Sequence, residues 1–478
     1  MAGGRLGNGR NNLKVCLILE GSYPYVYGGV SSWTHQYIQA MPDVEFILWC
    51  IAAKAEERGK FKFQIPGNVT EIHEVFLDDA LKMKASGRNK VKLRECEAEE
   101  LEKLLECRSL NWDTLFELFQ NKRMKPMALM TSLEFWNILE NICLKKYPFA
   151  AFSDFFHTVR SMLLPELFLM TKEVPEADIY HATATGYSGL LGSMGKWKYG
   201  KPFILTEHGI YTREREEEIL RAKWVIPYYK QQWIDLFYTF SDCAYSHADV
   251  ITALFERANR IQEDLGCNPQ KLRVLPNGVH YDRFSGIPVK KKDGYIDIGA
   301  VVRIAKIKDI KTMIYAFAEL KISLPESRLH IMGDVDDEEY FTECRQLVQQ
   351  LGTEDIIFTG VVNVIEYMEK FDFTILTSIS EGQPLSVLES FAAKRPCVVT
   401  DVGCCRELID GSREDAIGAA GICVAPMNKE ALTHAMYRMA TDENMRMNMG
   451  EAGQERVRRY YTHESSMSRY KELYKEVV

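Results

Sequence analysis

Short β-branched apolar runs recur along the chain, each followed by a glycine or polar turn and then by a segment of helical spacing. In the first half they read LKVCLILEG (13–21), VEFILWCIAA (44–53), ADIYHAT (177–183), KPFILTEHG (201–209), ADVITALF (248–255) and KLRVLPNG (271–278). Continuous apolar strands alternating with helices predict a parallel sheet covered on both faces. A polar stretch, FSGIPVKKKDG (284–294), interrupts the series, which then restarts with YIDIGAVVR, RLHIMGD, DIIFTG, FDFTILTS, PCVVTDVG and GICVAP. The pattern predicts an α/β protein of two Rossmann-like, doubly wound domains facing across a cleft, with ligands at the carboxyl ends of the strands.

Residues 80–172 break the alternation with long segments of helical period, such as LRECEAEELEKLLECRSL and FAAFSDFFHTVRSMLLPELFLM. They predict a helical insertion in the first domain. The second segment carries Asp154, His157, Arg160 and Glu166, so an amphipathic core helix explains it more simply than a membrane or partner surface. The expected division is 1–285 for the first domain, with the insertion at about 80–172, then 286–455 for the second and a helical tail over 456–478.

Composition narrows the picture. With 478 residues, 46% hydrophobic and 26% charged, the chain is long enough for two or three globular domains. A net charge of -8 argues against a general nucleic-acid binder. The 12 cysteines form no CxxC pair and several sit inside apolar runs, which suits buried thiols in a reducing compartment. The start, MAGGRLGNGRNNLK, lacks the apolar core of a signal peptide, and no run approaches a membrane span. A cytoplasmic protein is expected, associated with a membrane only through partner proteins.

Candidate chemistry concentrates in EGQPLSVLES (381–390). Pro384 suits the first helical position, and the backbone N–H groups around Gln383, Leu385 and Ser386 would then form an anion site at a helix N-terminus. Val387, Leu388, Phe391 and Ala392 repeat at core spacing, which puts Glu389 on the boundary, where its carboxylate needs hydrogen-bond partners such as sugar or ribose hydroxyls. A capping acid and a flanking surface acid are the plain alternative for Glu381 and Glu389. In GAVVRIAKIKDIK (299–311), Arg303 ends a strand and Lys308 follows at the next helix, so two cations at a strand's carboxyl end could clamp a pyrophosphate. Lys306 and Lys311 read as a solvated face. In GDVDDEE (333–339), D-x-D could hold a metal-bound diphosphate, but acids at a strand-to-helix turn suit the first helical turn better.

R303-x4-K308, followed by RLHIMGD, FTGVV, SEGQPLSVLES with its E-x7-E, and VVTDVGCCREL, resembles the retaining nucleotide-sugar glycosyltransferases of family 4, which have the GT-B fold. The likeness covers the second domain and reaches back to VLPNGVHYDRF (274–284), while LEGSYPYVYGGVSSWTHQYIQ (19–39) and the insertion look like the PelF glycosyltransferases of bacterial Pel-type exopolysaccharide synthesis. By that likeness Arg303 and Lys308 would neutralise the departing diphosphate, Glu389 would hold the ribose, and Glu381 would lie on the donor sugar. Gln383, Pro384, Leu385 and Ser386 would complete the cradle, Gly28 and Gly29 would match the family's glycine-rich loop, and His208 would match the family histidine facing the donor sugar. Asn277 and Gly278 read as a structural turn. Gln383 and Ser390 depart from the aromatic and the alanine frequent in the family, which bears on the choice of sugar.

The resemblance implies transfer of a hexosyl or N-acetylhexosaminyl unit from a UDP-sugar to a growing exopolysaccharide, with front-face retention and no covalent nucleophile. It implies no metal and no cofactor, because cations and the helix N-terminus supply the positive potential. It implies as partners a polysaccharide acceptor and a membrane-embedded synthase complex. Rival readings are a nucleotide-sugar epimerase of the same architecture, or a non-catalytic UDP-sugar-binding subunit of a membrane synthase.

Overall fold

The computed structural model of the chain describes residues 12–84, 91–412 and 415–478. The start of the chain, where the absence of a signal peptide was read, lies outside the described residues, as do residues 85–90 of the insertion. The chain divides into two compact units. The first takes the residues up to Ala253, then Asn259–Arg273 and Lys471–Val478, and the second takes Leu254–Ala258 and Val274–Tyr470. The second unit thus begins its main stretch ahead of the polar 284–294 segment that the pattern marked as the join.

The first unit is built on a seven-stranded sheet: β1 (Leu13–Glu20), β2 (Val44–Ala52), β3 (Val69–Phe76), β4 (Ile179–Ala182), β5 (Phe203–Glu207), β6 (Val250–Ala253) and β7 (Leu272–Val274). Their order is β3-β2-β1-β4-β5-β6-β7, with parallel pairing from β3 through β6. β1, β2, β4 and β5 are buried along nearly their whole length, as continuous apolar runs require. β3 was not legible in the pattern of apolar runs. It is an edge strand with Thr70, Glu71, His73 and Glu74 along it, so only its end, Val75 and Phe76, is buried.

Helices dominate the insertion, including Glu95–Leu105, Leu133–Lys146 and Phe152–Met170. Their apolar faces belong to the same core as the sheet: Leu101, Leu104, Leu139, Phe155, Leu163 and Leu167 join Ile18, Ile47 and Trp49 in one buried cluster. Phe152–Met170 therefore acts as a core helix, as its mixed composition predicts. The tail also packs into the first unit. Tyr474 Oη lies 2.6 Å from Tyr37 Oη and 2.7 Å from Nδ1 of the buried His181. Among the described residues no helix is long and apolar enough to cross a membrane.

The second unit repeats the scheme with six parallel strands: β8 (Ile296–Val301), β9 (Ser327–Met332), β10 (Ile356–Gly360), β11 (Phe373–Leu376), β12 (Cys397–Thr400) and β13 (Gly421–Val424). The order is β10-β9-β8-β11-β12-β13, and all six strands coincide with apolar runs in the sequence. The connections leave β8 toward one edge and resume at β11 toward the other, so the topological switch point lies between these strands, where doubly wound sheets bind ligands.

The turn Pro276–Val279 is tied to the start of the C-terminal helix His463–Val477. Val279 N donates to Tyr461 O at 2.9 Å, His463 N to Val279 O at 2.9 Å, and Ser466 Oγ to Pro276 O at 2.9 Å. A Cβ on Gly278 would stand 2.1 Å from the Thr462 carbonyl oxygen, so glycine is there for the close approach of two backbones. Gly278→Ala is expected to destabilise the second unit by about 1–3 kcal/mol, read by denaturant titration. An unchanged midpoint would show that the turn yields freely.

Candidate active site

The switch point is held shut by contacts between the loops that follow β8 and β11. Ile379 N donates to Ile307 O at 2.8 Å, and Thr377 Oγ1 donates to the carbonyls of Lys308 at 2.9 Å and Asp309 at 3.1 Å. Asp309 adopts a left-handed conformation, with φ of 47°, and caps the helix Ile310–Ser323 by accepting from Thr312 N at 3.4 Å. This sharp turn sends Lys308 across to the other loop. Its Nζ donates to Glu381 Oε1 at 2.6 Å, and Ser378 Oγ donates to the same oxygen at 2.5 Å. Both members of the ion pair are largely withdrawn from solvent, with side chains 15% and 12% exposed. The structure thus brings Lys308 and Glu381 together, and Ser378 is a partner that sequence reasoning missed.

The loop carrying Glu381 is held from its other side. Gly403, after β12, has a φ of 53°, and a Cβ there would lie 2.3 Å from the carbonyl oxygens of both Glu381 and Gly382. Cys404 N donates to Gly382 O at 3.1 Å. The vicinal cysteines of VGCCREL are buried free thiols in this bracket.

Arg303 does not join Lys308. It lies two residues beyond β8, 65% exposed, and its Nη1 bonds to Asp336. The expectation that it ends a strand is corrected by two residues: the strand stops at Val301, and the Asp336 carboxylate meets the guanidinium beyond it. The remaining acids of GDVDDEE also serve the backbone. Asp334 accepts from Val335 N, and Asp337 caps the helix Glu338–Leu351 by accepting from Tyr340 N at 2.9 Å. Lys311 pairs with Glu343 at 2.6 Å, and Lys306 lies 3.7 Å from Asp337.

The helix after β11 spans Leu385–Ala392. Pro384 stands one position before its first residue, as the N-cap with ψ of 108°, rather than at the first helical position. Leu385 is exposed and Ser386 half-buried at the helix start, while Val387, Leu388, Phe391 and Ala392 are buried as their spacing predicts. Gln383 turns inward. Its Oε1 accepts from Asn277 N at 2.7 Å and its Nε2 donates to Asn277 O at 3.3 Å, so the side chain reads one backbone amide as a strand would. The side chain that stands where an aromatic is frequent in the family is thus taken up by Asn277. Glu389 sits at the boundary of the buried face. Burial raises its carboxyl to about 7, opposed by attraction from Arg283, another residue without a signal in the motif.

In the first unit, β5 ends in Glu207 and is followed by His208. Burial lowers the imidazole to about 4, so it is neutral near pH 7. Its ring packs edge-on against Trp33 at 4.4 Å, and Nε2 is buried without a hydrogen-bond partner. Glu207 is raised to about 7 by burial and accepts from Tyr245 Oη and Gln262 Nε2, both at 2.8 Å. At the end of β1, Glu20 is raised by burial and accepts from Tyr211 Oη at 2.9 Å and Ser188 N at 3.2 Å. Each of these carboxyls closes an apolar strand, which is the signal that would have revealed them. Gly28 precedes the helix Gly29–Gln39 in extended conformation, and a Cβ on either glycine would meet nothing within 4 Å. Neither packing nor backbone geometry requires glycine at those two positions.

Two doubly wound parallel sheets give the chain the GT-B fold. Residues 286–456 match the family model described as "Glycosyl transferases group 1". Residues 13–270 match "Domain of unknown function (DUF3492)", and the chain belongs to that family. Among curated relatives, an MMP α-(1→4)-mannosyltransferase of Mycolicibacterium hassiacum is 21% identical over 308 residues, 63% of this chain and 71% of the relative. An N-acetyl-α-D-glucosaminyl L-malate synthase of Bacillus anthracis is 29% identical over 175 residues, 36% of this chain and 43% of the relative, so the match spans less than half of that protein. Among solved structures, Anabaena HepE in complex with UDP shares the fold with a TM-score of 0.61 at 12% identity, over 96% of this chain and 99% of that one.

The half-buried ion pair generates a stability prediction. Lys308→Met and Glu381→Gln should each destabilise the protein by about 1–3 kcal/mol, because each leaves a partner unmet. The double variant should cost less than the sum of the two. Additive losses in denaturant titrations would show that the pair is not coupled.

Proposed function

We propose that this protein is a retaining glycosyltransferase that moves a hexosyl or N-acetylhexosaminyl unit from a UDP-sugar to a growing exopolysaccharide of Pel type. The observation that carries this reading is the Lys308–Glu381 pair at the switch point of the second sheet, with Glu389 on the adjoining helix. The N-acetylglucosaminyl relative and the UDP bound in HepE support a nucleotide-diphosphate donor and leave hexosamine or glucose as the sugar. The Pel-type acceptor and its membrane synthase rest on the resemblance of residues 19–39 and the insertion.

In this mechanism the acceptor hydroxyl attacks the anomeric carbon on the face from which the diphosphate leaves. The bond from that carbon to the β-phosphate oxygen breaks, its electron pair stays on UDP, and the acceptor proton passes to the leaving phosphate. Lys308 and Arg303 stabilise the charge that grows on the diphosphate. An ammonium has three donors, so Lys308 can keep Glu381 in place while it meets a phosphate oxygen. Arg303 gives up little to turn from Asp336, since a pair this exposed contributes about 0–1 kcal/mol. Glu381, oriented by Lys308 and Ser378, accepts from hydroxyls of the donor sugar. His208 offers a neutral imidazole whose buried Nε2 awaits a partner. The cations and the helix N-terminus at Leu385 and Ser386 supply the positive potential, so the mechanism calls for neither a metal nor a cofactor.

Arg303→Ala and Lys308→Ala should each slow transfer by about tenfold or more, from the loss of a charged hydrogen bond of about 1.5–3 kcal/mol. The anomeric configuration of the product, read by NMR, should match that of the donor. Wild-type rates in both variants, or an inverted product, would defeat the assignment.

Glu389 gives a pH dependence. Its carboxyl titrates at about 7, and ribose hydroxyls donate to its ionised form, so ligand binding favours proton release. Affinity for uridine, which carries no phosphate of its own, should rise with pH up to about 7 and then level off. Glu389→Gln should flatten that profile, and a profile unchanged in the variant would count against the ribose contact. For folding the sign is reversed: the native state holds an extra proton between 4.5 and about 7, so this group's contribution to stability falls as pH rises through that window.

A further inference from the structure

Two loops of the first unit carry an apolar surface that none of the described residues covers. One joins the helices Leu133–Lys146 and Phe152–Met170, and the other joins Tyr211–Arg221 to Lys230–His247. Phe149 is 94% exposed and Trp224 67% exposed, with Leu144, Leu220, Ile226 and Tyr228 also exposed. The loops adjoin, because the Tyr147 and Tyr228 rings meet edge-on at 5.5 Å. Trp224 rests on Trp233 at 5.4 Å, and Lys230 Nζ closes the second loop by donating to Leu220 O at 2.5 Å. These side chains are presented outward on a braced base.

The loops themselves carry charge of one sign. The stretches LKKYPF (144–149) and LRAKWVIPYYK (220–230) contain Lys145, Lys146, Arg221, Lys223 and Lys230 and no acid, in a chain of net charge -8. Glu106 approaches Lys145 at 3.6 Å, Glu217 bonds to Arg221, and Asp154 and Asp235 follow the two stretches in sequence, which offsets much of this excess. Trp, Tyr and Phe ringed by lysine and arginine is the composition that settles at a bilayer interface, with the aromatic bodies among acyl chains and the cations at the headgroups. A two-fold dimer through this patch would set the cations against their own copies, an arrangement that like-charge repulsion disfavours.

We propose that this patch docks the protein on an anionic lipid surface, without spanning it. The test is co-sedimentation of the full chain with vesicles of phosphatidylcholine alone and of equal parts phosphatidylcholine and phosphatidylglycerol. Binding to the anionic vesicles is expected, weakened by added salt, and absent with phosphatidylcholine alone. The pair Phe149→Ser and Trp224→Ser should lower partitioning about tenfold or more. Lys145→Glu with Lys223→Glu should do the same, at roughly 1 kcal/mol for each charge removed near the surface. All four positions are exposed, and unchanged melting curves would verify folding. No binding to anionic vesicles, as an acidic protein partner would predict, overturns the proposal. So does equal binding to both compositions, or a concentration-dependent dimer abolished by Trp224→Ser.

Discussion

The loops after β8 and β11 are locked to each other by main-chain and hydroxyl contacts, and the chemistry of the second unit depends on that lock. Lys308 and Glu381 are separated by 73 positions in sequence, and each sits on a loop that could wander alone. Ile379 bonding to Ile307, and Thr377 to two successive carbonyls, remove that freedom before the charged side chains meet. The ion pair can then lie partly out of water, because its geometry is already fixed by neutral groups that need no charge to hold them. A cation and an acid delivered in this way form a preset electrostatic site.

Much of this was legible in the sequence, and the reasons differ by residue. The four interior strands of the second sheet, β9, β8, β11 and β12, have neighbours on both sides, so each needed an unbroken apolar run and announced itself. β3 has a neighbour on one side only, so its polar positions hid it. Lys308, Glu381 and Glu389 were found because a motif fixes their spacing. Ser378 and Arg283 were not, because their roles exist only once the chain has folded back on itself. Arg303 and Gln383 show the limit from the other side: the motif singled them out, but only coordinates show Arg303 turned to Asp336 and Gln383 turned inward to Asn277.

The two sheets treat their carboxyls in different ways. Glu20 and Glu207 end strands of the first sheet and accept from tyrosine hydroxyls, and burial draws both toward the protonated form, opposed at Glu20 by attraction from Arg215. Glu381 in the second sheet is met by an ammonium. Glu389 lies between these cases, with a guanidinium near enough to attract it and burial strong enough to hold it at about 7.

The insertion and the first sheet share one interior, with Ile18 of β1 in the same cluster as Leu163 and Leu167 of the long inserted helix. It is therefore not an appendage that could be trimmed to leave a minimal two-sheet enzyme. Excising it would expose apolar side chains of the shared interior to water. Sequence drift in these helices is thereby constrained by strand positions none of them touches in sequence, and a chimera that exchanged them for a relative's would need the matching strands as well.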